Sequence, residues 1–174
     1  LRHDEPKNYA GGKCILNLDQ QISILSIEDK DADFAKVQQI LLDHHQLKLT
    51  RVKSITEAFN CLEKDPFDLI FLDYLLPDGN GLEFLETINS KGVETPVVVI
   101  TGQGDELIAS RIIKAGAYDY LPKTKVSDKA LLRIISNALE KAGLKREMRL
   151  AHEKLAELSV RDELTGMFNR RYFQ

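Results

Sequence analysis

Tryptophan is absent from the 174 residues, aromatics make up only 7%, and there are two cysteines, Cys14 and Cys61. Two isolated thiols offer neither a metal-ligand spacing nor a disulfide framework. With no secretory segment in view, they read as reduced thiols in a cytoplasmic setting. No apolar run approaches the roughly 20 residues needed to cross a bilayer, so no membrane partner is expected. A surplus of positive charge is missing too: formal net charge is -3, which implies no general pull toward nucleic acid. What is present, 43% hydrophobic and 29% charged residues, suits a soluble globular domain with a substantial core. The chain starts at Leu1 and stops at Gln174, just after an aromatic-basic run, and reads as a piece of a longer protein.

Residues 1–20 contain Pro6, Gly11 and Gly12 without sustained periodicity and are expected to be an N-terminal tail. From Ile22 the pattern is regular. Short apolar runs at 22–27, 47–52, 68–73, 95–101 and 118–121 predict strands. Between and after them lie helical stripes. Phe34, Val37 and Leu41 mark one over 31–44, and Ile55, Ala58, Phe59 and Leu62 mark another over 54–63, with Ser54 as N-cap. Leu82, Leu85 and Ile88 follow, then a helix over 105–115 closed by Gly116, then Leu131, Leu132, Ile135 and Leu139 from Asp128 onward. Five strands alternating with five helices predict an α/β fold, a doubly wound parallel sheet covered on both faces.

Every predicted strand except the second ends in a group able to do chemistry: Glu28-Asp29, Asp73, Thr101 and Lys123. One such residue is as readily a simple turn former as a functional group. A parallel sheet, however, brings all these strand ends to one edge, where ligands of open α/β sheets gather. Three carboxylates there repel one another unless a cation sits among them. Hard oxygen donors suit Mg²⁺, which favours partners that also carry phosphate oxygens. A lysine and a hydroxyl complete the parts for stabilising a transferring phosphoryl group. The nucleophile would be a carboxylate forming an acyl phosphate, and Asp73, closing the central strand before the turn-rich LPDGNG, is the best placed.

With FLDYLLPDGNG, VVVITG and AGAYDYLPK at these separations, residues 21–142 resemble the receiver domain (CheY-like) of bacterial two-component response regulators. The resemblance implies a flavodoxin-like fold, with Asp73 phosphorylated by a sensor histidine kinase or phosphotransfer protein in a phosphorelay. It further implies Mg²⁺ held by Glu28, Asp29, Asp73 and the backbone carbonyl of Leu75. Lys123 would contact the phosphoryl group, and Thr101 and Tyr120 would act as the switch pair. Two positions depart from the family: Glu28 stands where Asp is usual, and Thr124 where Pro often follows the lysine. Outside the motifs, His44 and His45 read as surface residues favouring a helix dipole, and Asp78 as a turn former.

Beyond the receiver, Leu144, Met148, Ala151, Leu155 and Leu158 alternate spacings of four and three, the seam of a coiled coil. Residues 143–159 are therefore expected to extend the fifth helix into a C-terminal stalk that pairs with a second copy. The alternative is a helix lying on its own domain. Residues 160–174 carry Asp162, Leu164-Thr165-Gly166 and Asn169-Arg170-Arg171, which resemble the opening of a GGDEF domain, the diguanylate cyclase module. That resemblance implies a receiver controlling a cyclase that makes cyclic di-GMP from GTP, although the cyclase active site is not in this chain. The competing expectation is a non-enzymatic receiver or adaptor module that regulates a partner by protein–protein contact, with an inactive GGDEF output.

Overall fold

The computed structural model describes residues 21–102 and 106–160. In chain order the elements are β1 (Ile22–Ile27), α1 (Asp31–Leu41), β2 (Leu47–Val52), α2 (Ile55–Leu62) and β3 (Leu69–Asp73). A small hairpin of β4 (Leu75–Leu76) and β5 (Gly79–Asn80) leads into α3 (Gly81–Ser90). Then come β6 (Val97–Thr101), α4 (Glu106–Lys114), β7 (Asp119–Pro122), a 3₁₀ turn (Lys123–Lys125) and α5 (Asp128–Val160). Five strands form one parallel sheet in the order β2-β1-β3-β6-β7. This is the doubly wound, flavodoxin-like order, in which the chain reverses direction beside β1 and opens a crevice at the strand ends.

Each face of the sheet has its own core. On one, Ile24, Leu69, Phe71, Val98 and Leu121 pack with Val37 and Leu41 of α1 and with Leu131, Ile135 and Ala138 of α5. On the other, Leu25, Ile70, Leu72 and Val99 pack with Phe84, Leu85 and Ile88 of α3 and Ile112 of α4. Because helices cover both faces, β3 and β6 are buried along their whole length. That explains why they read as continuous apolar runs rather than alternating ones.

Ser54 caps α2 as expected, its hydroxyl accepting from the Glu57 amide. Several boundaries differ from the sequence reading. α1 stops at Leu41, so His44 does not serve the helix dipole; its Nε2 lies 2.8 Å from Asp128 Oδ1 at the start of α5. β6 begins two residues later than read, at Val97, and β7 lies one residue later, at Asp119–Pro122. The β4–β5 hairpin is an addition to the five predicted strands.

α5 runs without a break across Gly143, where an added Cβ would meet nothing within 4 Å. Its 33 residues span on the order of 50 Å at 1.5 Å per residue. The alternative, a helix lying on its own domain, is met in part. Its charged side touches its own domain, with Arg149 Nε 2.7 Å from Glu94 Oε1 and Lys145 Nζ over the Tyr118 ring at 5.8 Å. Its apolar seam faces away, Leu144, Met148 and Leu155 being 55%, 74% and 66% exposed. No helix among the described residues is long and apolar enough to cross a membrane. The tail expected over residues 1–20 and the GGDEF-like residues 161–174 lie outside the described residues.

Candidate functional site

The sheet brings the predicted residues to one edge because β1, β3, β6 and β7 all end there. Glu28 and Asp73 are nearly inaccessible, with 6% and 4% of their surface exposed. Asp29 is half-buried beside them. Oxygens of these three carboxylates lie within 4.8 Å of one another. Three negative charges at that separation in a poorly solvated place need compensation, and Lys123, at the end of β7, supplies it. Its Nζ is 2.7 Å from Glu28 Oε2, 2.7 Å from Asp73 Oδ2 and 2.7 Å from Asp33 Oδ2.

Burial works against the Lys123 ammonium, but hydrogen bonds to Asp33, Asp73 and Glu28 outweigh it and hold its pKa above the ordinary lysine value. Burial pushes the Glu28 carboxyl up, against the Lys123 hydrogen bond and the Lys30 amide. Lysine therefore stays charged, and Glu28 is a carboxyl whose charge is incompletely compensated. Both Glu28 oxygens are engaged, Oε2 by Lys123 and Oε1 by the Lys30 amide at 3.1 Å. Asp29 differs: its Oδ1 is buried and has no hydrogen-bond partner. An orphaned carboxylate oxygen is costly to bury. A hard divalent cation taking its ligands from oxygen would satisfy it, and the donor set fits Mg²⁺.

The turn after Asp73 is folded tightly. The Gly81 amide donates to the Tyr74 carbonyl at 2.8 Å, closing the β4–β5 hairpin onto the end of β3. A Cβ on Gly81 would come within 3.2 Å of Tyr74 Cα and 3.5 Å of the Asp73 carbonyl oxygen, so glycine is what permits this approach. Leu75 stands in β4 and is 48% exposed. Asp78, expected only to form a turn, reaches across to α2. Its carboxylate accepts from the Ile55 and Thr56 amides and the Thr56 hydroxyl, each at 2.9 Å.

Thr101 is 2% exposed at the last position of β6. Asp73 is in register with Ile100, so Thr101 lies on the opposite face of the sheet while sharing the same edge. Tyr120 is half-buried and in register with Val99, which puts it on the same face as Thr101, one alternation back. Asp33, Lys36 and Arg51 also join the site without belonging to the motifs at the strand ends. Asp33 binds Lys123, Lys36 Nζ donates to the Lys123 carbonyl at 3.0 Å, and Arg51 grips the turn carrying Glu28 and Asp29. In sequence Asp33 looks like an acidic residue matching a helix dipole, and no periodic signal marks the other two.

A doubly wound parallel sheet with a lysine-bridged acidic cluster at its carboxyl edge defines the class. The chain belongs to the response regulator receiver domain family, whose model matches residues 24–136. It is 33% identical over 141 residues to the response regulator protein PilR of Pseudomonas aeruginosa, covering 80% of this chain and 29% of that protein. The phosphate regulon transcriptional regulatory protein PhoB of Escherichia coli is 28% identical over 137 residues, 78% of this chain and 57% of PhoB. Among solved structures, NtrX from Brucella abortus superposes with a TM-score of 0.67 at 30% identity, covering 75% of this chain and 29% of NtrX. The signal receiver domain of an HD domain-containing protein from Pseudomonas fluorescens gives 0.66 at 26% identity, covering 74% and 93%. The chain thus spans between 29% and 57% of PilR and PhoB. These relatives do not support a diguanylate cyclase output, PhoB being named a transcriptional regulator.

Proposed function

We propose that this receiver accepts a phosphoryl group on Asp73 from a histidine kinase, a phosphotransfer protein or a small acyl phosphate. The observation that carries the reading is the burial of Asp73 among Glu28, Asp29 and Lys123 at the strand ends. Asp73 attacks phosphorus through a carboxylate oxygen, the P–O or P–N bond to the donor breaks, and an acyl phosphate results. Lys123 follows the developing negative charge, exchanging a carboxylate partner for a phosphoryl oxygen. Glu28, Asp29, Asp73 and the Leu75 carbonyl would hold Mg²⁺, which when bound neutralises charge on the phosphoryl oxygens. Thr101, at the same edge, would donate to the phosphoryl group, and Tyr120, on the same face, would follow it inward. That shift would bias a two-state equilibrium at the surface of α4, β7 and α5.

The long α5 is the route by which such a change would reach an output, with a homodimer formed through α5 and the stalk. The cyclase reading of that output rests on the density of matches in residues 162–171. A second reading, a transcriptional output, is favoured by the names of PhoB and of DctD, the C4-dicarboxylate transport transcriptional regulatory protein of Pseudomonas aeruginosa. Two assays test the proposal. Labelling by acetyl phosphate should require Mg²⁺, and labelling that persists in excess chelator would contradict the site. Cyclic di-GMP formed from GTP by the parent protein supports the cyclase, and its absence under full phosphorylation removes it in favour of the adaptor or transcriptional reading.

A further inference from the structure

We propose that Arg51, on the edge strand β2, is a positioning residue that sets the metal-binding turn through its backbone. This rests on reading Glu28, Asp29 and Asp73 as the metal site. Arg51 Nε donates to the Glu28 carbonyl at 2.9 Å and Nη2 to the Asp29 carbonyl at 3.0 Å. Nη1 donates to Asp31 Oδ1 at 2.6 Å. The guanidinium carbon lies 4.6 Å from the centre of the Phe34 ring, so both its plane and its edge are fixed. Its side chain is only 17% exposed.

One planar fork thus grips two successive carbonyls of the turn that presents the acidic pair. Fixing those peptide planes fixes the direction in which the Glu28 and Asp29 side chains leave the backbone. The arginine does this without neutralising the ligand itself. It donates to the Glu28 and Asp29 carbonyls and to Asp31, and Asp29 Oδ1 keeps no partner. Lys53 Nζ donates to the same Asp31 oxygen at 3.0 Å, so that carboxylate is shared between the two cations. Lysine could not replace Arg51 in this role, since a single ammonium does not match two coplanar acceptors and a carboxylate in a fixed fork geometry.

The role has an experimental sign. A cation near a dication site repels the metal, so removing the charge alone would tighten Mg²⁺ binding. Removing a positioning group loosens it. In calorimetric titration of the metal-free protein, Arg51→Met should raise the Mg²⁺ dissociation constant about 10-fold, as outer-shell partners of metal ligands do. Arg51→Lys, which keeps the charge and loses the fork, should also weaken binding. Thermal unfolding in chelator establishes that each variant is folded at the titration temperature, and if Arg51→Met is not, Arg51→Lys carries the test. Binding that is unchanged or tighter in the folded variants overturns the positioning role. If the parent protein itself binds no Mg²⁺, or Asp29→Ala binds as well as the parent, the metal site is misassigned.

Discussion

Asp33, in the first turn of α1, shares the Lys123 ammonium with Asp73 across 90 residues of chain, at 2.7 Å. The lysine is therefore divided among the proposed phosphoacceptor, the buried Glu28 and a partner, Asp33, with a side chain 35% exposed. Removing that partner leaves more of the ammonium's field to an incoming anion and takes one negative charge away from its path. Asp33→Asn is expected to speed labelling by acetyl phosphate about threefold, the rate equivalent of a modest ion-pair energy of about 0.7 kcal/mol. Initial rates at saturating Mg²⁺ check it, and a slower variant would show that Asp33 assists Lys123 rather than competing for it.

Asp29 and Glu28 should not be equivalent at the metal. Glu28 has both oxygens engaged, whereas Asp29 keeps a buried oxygen with no partner. Asp29→Ala is expected to weaken Mg²⁺ binding more than Glu28→Ala. Titration of the two variants side by side decides it. Equal losses, or a larger loss for Glu28→Ala, would refute the ranking.

Asp78 ties the loop after Asp73 to the start of α2 by accepting from the first amides of that helix. Burial opposes its charge, but the Ile55 and Thr56 amides and the Thr56 hydroxyl together outweigh it and hold its carboxyl below the ordinary value of 3.8. A depressed acid stabilises the fold above its unfolded pKa and loses that contribution as pH falls through the folded value. Asp78→Ala is expected to cost about 1 kcal/mol at pH 7, the usual loss of an N-terminal cap. Denaturant melts of both proteins should converge below the ordinary aspartate pKa. A difference that persists undiminished in acid would show that the carboxylate charge is not its source.

The stalk prediction concerns Leu155, 66% exposed on the seam that faces away from the domain. Leu155→Glu should weaken self-association, while leaving Asp73 labelling unchanged. If phosphorylation couples to pairing by roughly 1–3 kcal/mol, the dimer constant shifts about 5- to 150-fold, which sedimentation resolves. A Glu variant that associates as the parent does, with and without a phosphoryl mimic, would point to the Glu94 side of the helix or to the output domain instead.

The elements that could be read from the sequence are those whose patterns are local. Leu69–Leu72 and Val97–Ile100 are apolar without interruption because both sheet faces are covered, and Gly81–Ser90 carries a single helical stripe. Residues at the ends of strands could be placed together because parallel topology alone brings Glu28, Asp73, Thr101 and Lys123 to one edge. What stayed hidden depends on side chains meeting across the fold. Asp33 meets Lys123, His44 meets Asp128, and Arg51 meets the carbonyls of Glu28 and Asp29, none at a spacing that a helix or strand period would mark. The two-residue strands β4 and β5 carry no signal of their own because Pro77 and Gly79 read as plain turn, and the Gly81 amide on the Tyr74 carbonyl closes their pairing.

Asp73 is the group proposed to take the phosphoryl. The most direct measurement is peptide mapping by mass spectrometry after incubation with acetyl phosphate and Mg²⁺, in the parent protein and in Asp73→Asn. A single acyl phosphate on the peptide containing residues 71–81, absent from a folded Asp73→Asn protein, is the predicted result. Label on another residue of the parent, or undiminished label on the Asn variant, would contradict it.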